Sequence, residues 1–218
     1  MIAAFFDIDR TLITADSGVL YAKYLLRRGE LRRRDLLAAI YYHLLHRLNL
    51  LDVDALFARY TGTIRGRSHA ELQDLCADWY AASVRPVVNP HMAAAVAEHR
   101  RAGHVVAILS SATNYVGEPL AQDLGIQHLL VNRLLVRDGY LTGEAVQPLC
   151  YGAGKVYWAE RFAADQHVDL QHSYFYTDSI TDLPMLERVG HPCPVNPDRL
   201  LRRHARRCGW PVTVGEAS

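Results

Sequence analysis

The stretch FFDIDRTLIT, residues 5–14, places two carboxylates directly after a short apolar run. The run begins at Ile2 and consists mainly of residues that suit a buried strand. Asp7 and Asp9 follow it, two residues apart. Carboxylates at the end of a buried strand repel each other unless a cation holds them. The stretch therefore predicts a strand that ends in a chemical site.

Two further apolar runs repeat this arrangement. Residues 105–109 (VVAIL) and 173–177 (SYFYT) are each followed by polar residues and then by a helical pattern. Short buried strands that alternate with helices predict an α/β fold with a doubly wound, Rossmann-like parallel sheet. A β-hairpin is predicted near 131–145, where the run LLVRDGYLTGE has an Asp-Gly turn between flanks that favour strands.

Residues 15–85 differ from the rest of the chain in their sequence pattern, which is helical throughout and includes no convincing strand. We expect this block to be an all-helical insert between the first and second strands of the sheet. A chain of 218 residues, half of them apolar, is long enough for a core and a smaller insert. The predicted division is a core of residues 1–14 and 86–218 and a helical cap of residues 15–85.

Charge and cysteine content exclude several classes of protein. The 24 Lys and Arg residues nearly balance the 23 Asp and Glu residues, so no nucleic-acid partner is indicated. The four cysteines form no CxxC pair, which argues against a zinc site and against a disulfide framework. A set of reduced thiols predicts a cytoplasmic protein.

No membrane span and no cleavable signal are expected. The N-terminal residues run straight into the DID motif without a basic segment before an apolar one. The most membrane-like segment, residues 36–51, is too short and too polar to cross a bilayer. It predicts an amphipathic helix instead.

Polar side chains follow the predicted strands at their carboxyl ends, where open parallel sheets bind ligands. The candidates are Asp7, Asp9 and Thr11 after the first strand, Ser110 and Ser111 after the second, and Asp178 and Asp182 after the third, with Lys155 at the start of another helix. Clustered carboxylate oxygens suit Mg²⁺, and the metal and lysine together would form a receptor for phosphate. One carboxylate could then attack phosphorus, and a second could act as general acid and base.

Four motifs, DIDRTL, ILSSAT, GAGK and TDSITD, resemble in order and spacing those of the haloacid dehalogenase superfamily of phosphohydrolases. The segment 173–210 and the helical insert are similar to its IB subfamily, whose best-known members are phosphoserine phosphatases. The resemblance covers nearly the whole chain. It implies a doubly wound core with a helical cap of the C1 type that covers the site.

The resemblance implies a role for each motif residue. Asp7 matches the nucleophile, and Asp9 matches the general acid and base, whose main-chain carbonyl also binds Mg²⁺ in the family. Lys155 matches the lysine that neutralises the nucleophile and the phosphate. The residues that match hydroxyls for the phosphoryl group are Thr11, Ser110 and the neighbouring Ser111, and those that match metal ligands are Asp7, Asp9, Asp178 and Asp182. Asp182 could instead orient Lys155 or a metal-bound water.

Two positions depart from phosphoserine phosphatases, and two agree with them. Arg10, which we expect to contact the substrate, replaces a small residue, and Thr181 replaces an asparagine. Both differences favour a phosphomonoester other than phosphoserine. Asp16 occupies the position of a glutamate that faces the substrate ammonium, and Arg59 that of a cap arginine which grips the carboxylate. A helix-start role for Asp16 and a solvated position for Arg59 are equally compatible with the sequence.

The leading hypothesis is a Mg²⁺-dependent phosphatase that hydrolyses a small phosphomonoester through an aspartyl phosphate. A phosphotransferase that uses the same intermediate is an alternative, and so is a non-catalytic binding protein that keeps the fold. The complete set of motif residues argues against the last of these. The sequence does not identify the substrate or the oligomeric state.

Overall fold

Seven strands and eight α-helices are found in the computed structural model, which describes residues 1–31 and 53–213. The strands are β1 (Ala3–Phe6), β2 (Val105–Thr113), β3 (His128–Asn132), β4 (Leu134–Arg137), β5 (Tyr140–Ala145), β6 (Tyr174–Thr177) and β7 (His191–Pro194). The helices are α1 (Ser17–Arg27), α2 (Val53–Thr63), α3 (His69–Trp79), α4 (Pro90–Arg101), α5 (Asn114–Leu124), α6 (Ala153–Gln166), α7 (Leu183–Leu186) and α8 (Arg199–Cys208). The amphipathic helix predicted at 36–51 lies outside the described residues.

Five of the strands form one parallel sheet in the order β3-β2-β1-β6-β7. β1 is central, and its register pairs Phe6 with Ile108 on one side and with Tyr176 on the other. The remaining two strands, β4 and β5, form an antiparallel hairpin. This topology confirms the predicted doubly wound α/β class.

Both faces of the sheet are buried, which explains why the strands are continuously apolar. Ala4 and Phe6 of β1 belong to one hydrophobic cluster, whereas Ala3 and Phe5 belong to a second cluster on the opposite face. The first cluster also contains Trp79 of α3, together with other residues of the predicted insert. The insert and the sheet therefore share one core.

The predicted strands are confirmed, with one boundary that was wrong. β2 continues to Thr113, past the expected end at residue 109. Its pairing with β3 shifts register between Ser110 and Thr113, so the end of this strand is irregular. β3 and β7 were not identified from the sequence, since HLLVN and HPCP are short and carry histidine or proline.

The predicted hairpin is confirmed, and it contacts the insert. Asp138 and Gly139 form the turn, and both have positive φ angles, of 53° and 82°. The Leu141 N–H donates to the Arg67 carbonyl at 3.0 Å, and the Gly66 N–H donates to the Leu141 carbonyl at 2.8 Å. The hairpin therefore holds the turn that directly precedes α3.

The division of the chain into a core and a cap stays a prediction. Within 15–31 and 53–85 the structure has helices and turns, and a single bridging residue, Ser68, pairs with Tyr140 of the hairpin. None of the helices in the described ranges combines the length and the apolar character that a bilayer crossing requires.

Candidate active site

The candidate site lies at the carboxyl edge of the sheet, where the strand order reverses. Strands β2 and β3 lie on one side of β1, and β6 and β7 lie on the other, so β1 and β6 flank the switch point. Asp7 follows β1 and Asp178 follows β6. The Asp7 N–H donates to the Tyr176 carbonyl at 2.9 Å, which continues the pairing of the two strands up to these carboxylates.

Lys155 connects two of the predicted carboxylates. Its Nζ donates to Asp7 Oδ1 at 2.9 Å and to Asp182 Oδ2 at 2.7 Å. The three side chains are nearly inaccessible, with 2%, 9% and 3% of their surfaces exposed for Lys155, Asp7 and Asp182. A buried ammonium between two carboxylates joins the first, third and fourth motifs into one cluster.

The carboxylates keep Lys155 charged. Burial alone would lower the pKa of this ammonium, but the charges of Asp182 and Asp7 outweigh burial and raise the pKa above its ordinary value. Lys155 is therefore a permanent positive charge in the site at neutral pH.

Asp182 also accepts a hydrogen bond from Thr177, the last residue of β6, with Thr177 Oγ1 2.6 Å from Asp182 Oδ2. Both donors use the same carboxylate oxygen, which fixes the direction of the Lys155 ammonium. These contacts favour the alternative in which Asp182 orients Lys155, and its predicted role as a metal ligand stays a prediction. Sequence reasoning missed Thr177, although its place directly before Asp178 at a strand end was the available signal.

The loop before Lys155 demands glycine. A Cβ atom at Gly154 would overlap the carbonyl oxygen of Leu149, and Gly152 has a positive φ of 51°. The GAGK run therefore lets α6 begin close to the preceding chain, and this places Lys155 against Asp7.

The carboxylate of Asp9 contacts the first residue of α1. Its Oδ1 accepts a hydrogen bond of 2.7 Å from the Ser17 N–H, an otherwise unsatisfied group of the first helical turn. Burial raises the pKa of Asp9 to about 7, and the nearby charge of Asp7 contributes, although the Ser17 hydrogen bond opposes the rise. A carboxyl with such a pKa can both release and accept a proton near neutral pH.

Arg10 and Asp16 form an ion pair beside Asp9. Arg10 Nε donates to Asp16 Oδ2 at 2.9 Å. Both residues were predicted to contact substrate, and Asp16 was predicted to face a substrate ammonium. In the structure, the cation that Asp16 contacts is the Arg10 guanidinium of the same chain. The predicted contact of Asp16 with a substrate ammonium stays a prediction.

The predicted hydroxyl groups lie at different depths. Ser110 is buried, and its Oγ accepts from the Ala112 N–H at 3.3 Å, so the Ser110 hydroxyl proton is available for another acceptor. Ser111 is half-buried. Thr11 Oγ1 is fully buried and has no hydrogen-bond partner in the described part of the chain. An orphaned buried hydroxyl of this kind is commonly explained by a water, an ion or a ligand.

Side chains that sequence reasoning missed hold the site loops in place. Asn132 Nδ2 donates to the Ser111 carbonyl at 2.7 Å, and Asn132 Oδ1 accepts from the Cys150 N–H at 2.7 Å. Asp198 Oδ2 accepts from the Ile180 N–H at 2.8 Å, and the Asp198 N–H donates to the Asp178 carbonyl at 2.8 Å. Nothing in their sequence context distinguishes these residues from ordinary loop residues.

Magnesium fits the donor set, although no group of three His, Cys, Asp or Glu side chains in the described residues is arranged as a metal centre. Mg²⁺ does not need such a group, because it usually binds one or two carboxylates and completes its shell with water and phosphate oxygens. Asp7 and Asp178 are hard oxygen donors on adjacent strand ends, and both are buried.

Arg59 lies on α2 with an exposed side chain. No contact in the described residues links it to the carboxylate cluster, and its predicted grip on a substrate carboxylate stays a prediction.

Comparisons with known proteins agree with this geometry. The sequence profile of the haloacid dehalogenase-like hydrolase family matches residues 4–187. The chain is 38% identical to a probable phosphatase of Mycobacterium tuberculosis, over 96% of this chain and 74% of that protein. It is 29% identical to a histidinol-phosphatase of Neisseria meningitidis, over 96% of both chains.

Solved structures show the same fold. A protein of unknown function from Bordetella pertussis superimposes with a TM-score of 0.84 and 30% identity, covering 98% of both chains. A phosphoserine phosphatase with an analogue of the phospho-aspartyl intermediate superimposes with a TM-score of 0.74 and 16% identity, covering 100% of this chain and 94% of that one. At that identity the likeness shows the fold alone.

The chain belongs to the haloacid dehalogenase-like hydrolase family. The family membership and the phosphatase class predicted from the four motifs are confirmed.

Proposed function

We propose that the protein is a Mg²⁺-dependent phosphatase that hydrolyses a small phosphomonoester through an aspartyl phosphate on Asp7. The observation that carries this proposal is the buried contact of Lys155 with both Asp7 and Asp182. The Lys155 ammonium lies 2.9 Å from Asp7 Oδ1 and holds that carboxylate in place, as a carboxylate nucleophile requires.

The proposed reaction has two steps. Asp7 attacks phosphorus, the bond from phosphorus to the ester oxygen breaks, and Asp9 donates a proton to the departing alkoxide. Water then attacks the aspartyl phosphate while Asp9 takes back a proton, and this releases inorganic phosphate and regenerates the Asp7 carboxylate. A pKa near 7 allows Asp9 to be the acid in the first step and the base in the second.

Other residues stabilise the phosphoryl group. Lys155 supplies a fixed positive charge, and Ser110 supplies a hydroxyl whose proton is available. Asp7, the main-chain carbonyl of Asp9 and Asp178 would hold Mg²⁺, which neutralises charge on the phosphoryl oxygens when it is bound. Relatives named histidinol-phosphatase and phosphoserine phosphatase support a small-molecule substrate.

The test uses the purified chain, p-nitrophenyl phosphate and a panel of phosphorylated metabolites, with phosphate release as the readout. Mg²⁺-dependent release is expected, chelation should stop it, and Asp7→Asn should abolish it because an amide is a poor nucleophile. Phosphate release by the Asp7→Asn variant, or full activity in excess chelator, would contradict the proposal. Transfer to an added alcohol instead of water would favour the phosphotransferase.

A further inference from the structure

The loop that carries Asp9 and Arg10 is fastened to the start of α1. The Arg10 N–H donates to the Ala15 carbonyl at 3.1 Å, and the Ser17 N–H donates to Asp9 Oδ1 at 2.7 Å. The ion pair between Arg10 and Asp16 closes the same short segment. Asp9, Arg10 and Asp16 therefore form one unit, and the charge of Asp16 is close enough to Asp9 to contribute to the rise of its pKa.

Arg10 adopts an uncommon backbone conformation. Its φ is 54°, in the left-handed region that residues other than glycine seldom occupy. Backbone conformations of this kind persist where the surrounding structure enforces them, and they cluster at functional sites.

The Arg10 guanidinium has unused hydrogen-bonding capacity. It carries five N–H donors, and the hydrogen bond to Asp16 uses the one on Nε. Its terminal nitrogens make no hydrogen bond within residues 1–31 and 53–213, and the side chain is 43% exposed. The donors are therefore accessible on the residue that directly follows Asp9 in the chain.

We propose that Arg10 selects the leaving group by its charge, because it neutralises Asp16 and offers terminal N–H donors beside the proton donor Asp9. This inference rests on the proposed function, in which the leaving oxygen departs next to Asp9. Esters whose leaving group carries a carboxylate or a hydroxyl are then preferred over esters that carry an ammonium. The reason is that the positive charge of Arg10 attracts a carboxylate and repels an ammonium.

The test uses three esters that differ in one terminal group: phosphoglycolate, 2-hydroxyethyl phosphate and O-phosphoethanolamine. Their competitive inhibition constants are measured against hydrolysis of p-nitrophenyl phosphate with Mg²⁺. In Arg10→Gln, affinity for phosphoethanolamine relative to the hydroxyl ester should rise about tenfold, because the repulsion between Arg10 and the ammonium is lost. Affinity for phosphoglycolate should fall about tenfold, because a charge-assisted hydrogen bond to its carboxylate is lost. Asp16→Asn should move both ratios in the opposite direction.

Arg188 provides a matched control. Its Nε contacts Glu160 Oε1 at 2.7 Å, and 38% of the arginine side chain is exposed, so this arginine resembles Arg10 in its contact and its exposure. Its partner Glu160 is more exposed than Asp16, at 49% against 10%. Arg188→Gln should leave both ratios unchanged. Arg10→Lys keeps the charge without the guanidinium and should shift the ratios less than Arg10→Gln.

Two results overturn the inference in distinguishable ways. Active Arg10→Gln enzyme with wild-type ratios, or with shifts no larger than those of Arg188→Gln, contradicts the role of Arg10 and leaves the phosphatase intact. A wild-type protein that does not hydrolyse p-nitrophenyl phosphate contradicts the proposed function, and the inference falls with it.

Discussion

The cluster around Lys155 and the pair formed by Arg10 and Asp16 contain ion pairs of nearly equal length in different surroundings. The Lys155 contacts are 2.9 Å and 2.7 Å with 2% of the lysine side chain exposed, whereas the Arg10 contact is 2.9 Å with 43% of the arginine side chain exposed. Water and salt reach the second pair through the arginine, although its partner Asp16 is only 10% exposed, and they barely reach the first pair. Ion pairs of nearly equal length therefore differ in energy. When one partner of the buried pair is removed, solvent does not take its place.

The largest effect is expected from Lys155→Met. Its removal leaves Asp7 and Asp182 buried without their cation, which should lower the free energy of unfolding by about 3–5 kcal/mol and end turnover. Denaturant unfolding and phosphate release measure the two losses. Lys23, the only other lysine in the chain, is exposed on α1, so Lys23→Met should change stability by no more than about 0.5 kcal/mol. Similar losses of stability and turnover in Lys155→Met and Lys23→Met would contradict the role assigned to Lys155.

Asp9→Asn is expected to act on chemistry rather than on stability. Turnover of an alkyl phosphate should fall by a factor of about 10² to 10⁴, because its poor leaving group needs the proton. Turnover of p-nitrophenyl phosphate should fall less, since its leaving group departs as a stable anion. Steady-state kinetics with both esters make this comparison, and an equal loss for both would argue against Asp9 as the proton donor.

A comparison of Gly154→Ala with Gly190→Ala separates the effect of displacing Lys155 from the effect of overpacking. In both, the new Cβ would overlap a backbone carbonyl, that of Leu149 or that of Gln171. Each variant should lose about 1–3 kcal/mol of stability from overpacking. Only Gly154→Ala should also lower kcat per folded molecule, measured below both melting temperatures, because Lys155 is its neighbour. A parallel drop in kcat for Gly190→Ala would point to a general effect.

The smallest effect is expected for the stability contributed by Arg10 and Asp16. A double-mutant cycle with Arg10→Gln and Asp16→Asn should give a coupling free energy of no more than about 1 kcal/mol, falling with added salt. A salt-independent coupling of several kcal/mol would mean that the pair is as isolated from solvent as the Lys155 cluster.

The motif residues were predictable because parallel strands bring their carboxyl ends to one edge. Asp7 and Asp178 could be placed together on that argument alone, and the helical start at Lys155 followed from the glycines before it. β3 and β7 were missed because HLLVN and HPCP are short and carry few of the β-branched and aromatic residues that mark strands. Asn132 and Asp198 were missed because a residue that supports a loop carries no local pattern.

The sequence by itself determined the family, the α/β class and the residue types of the candidate site, since spacing and residue type are local properties that sequence order preserves. Only the tertiary structure decided which charged side chains form pairs. It paired Asp182 with Lys155, across 27 positions of the chain, and Asp16 with Arg10. Pairing and burial depend on distances in space, and these set the dielectric surroundings of each charge and thereby its energy and its pKa.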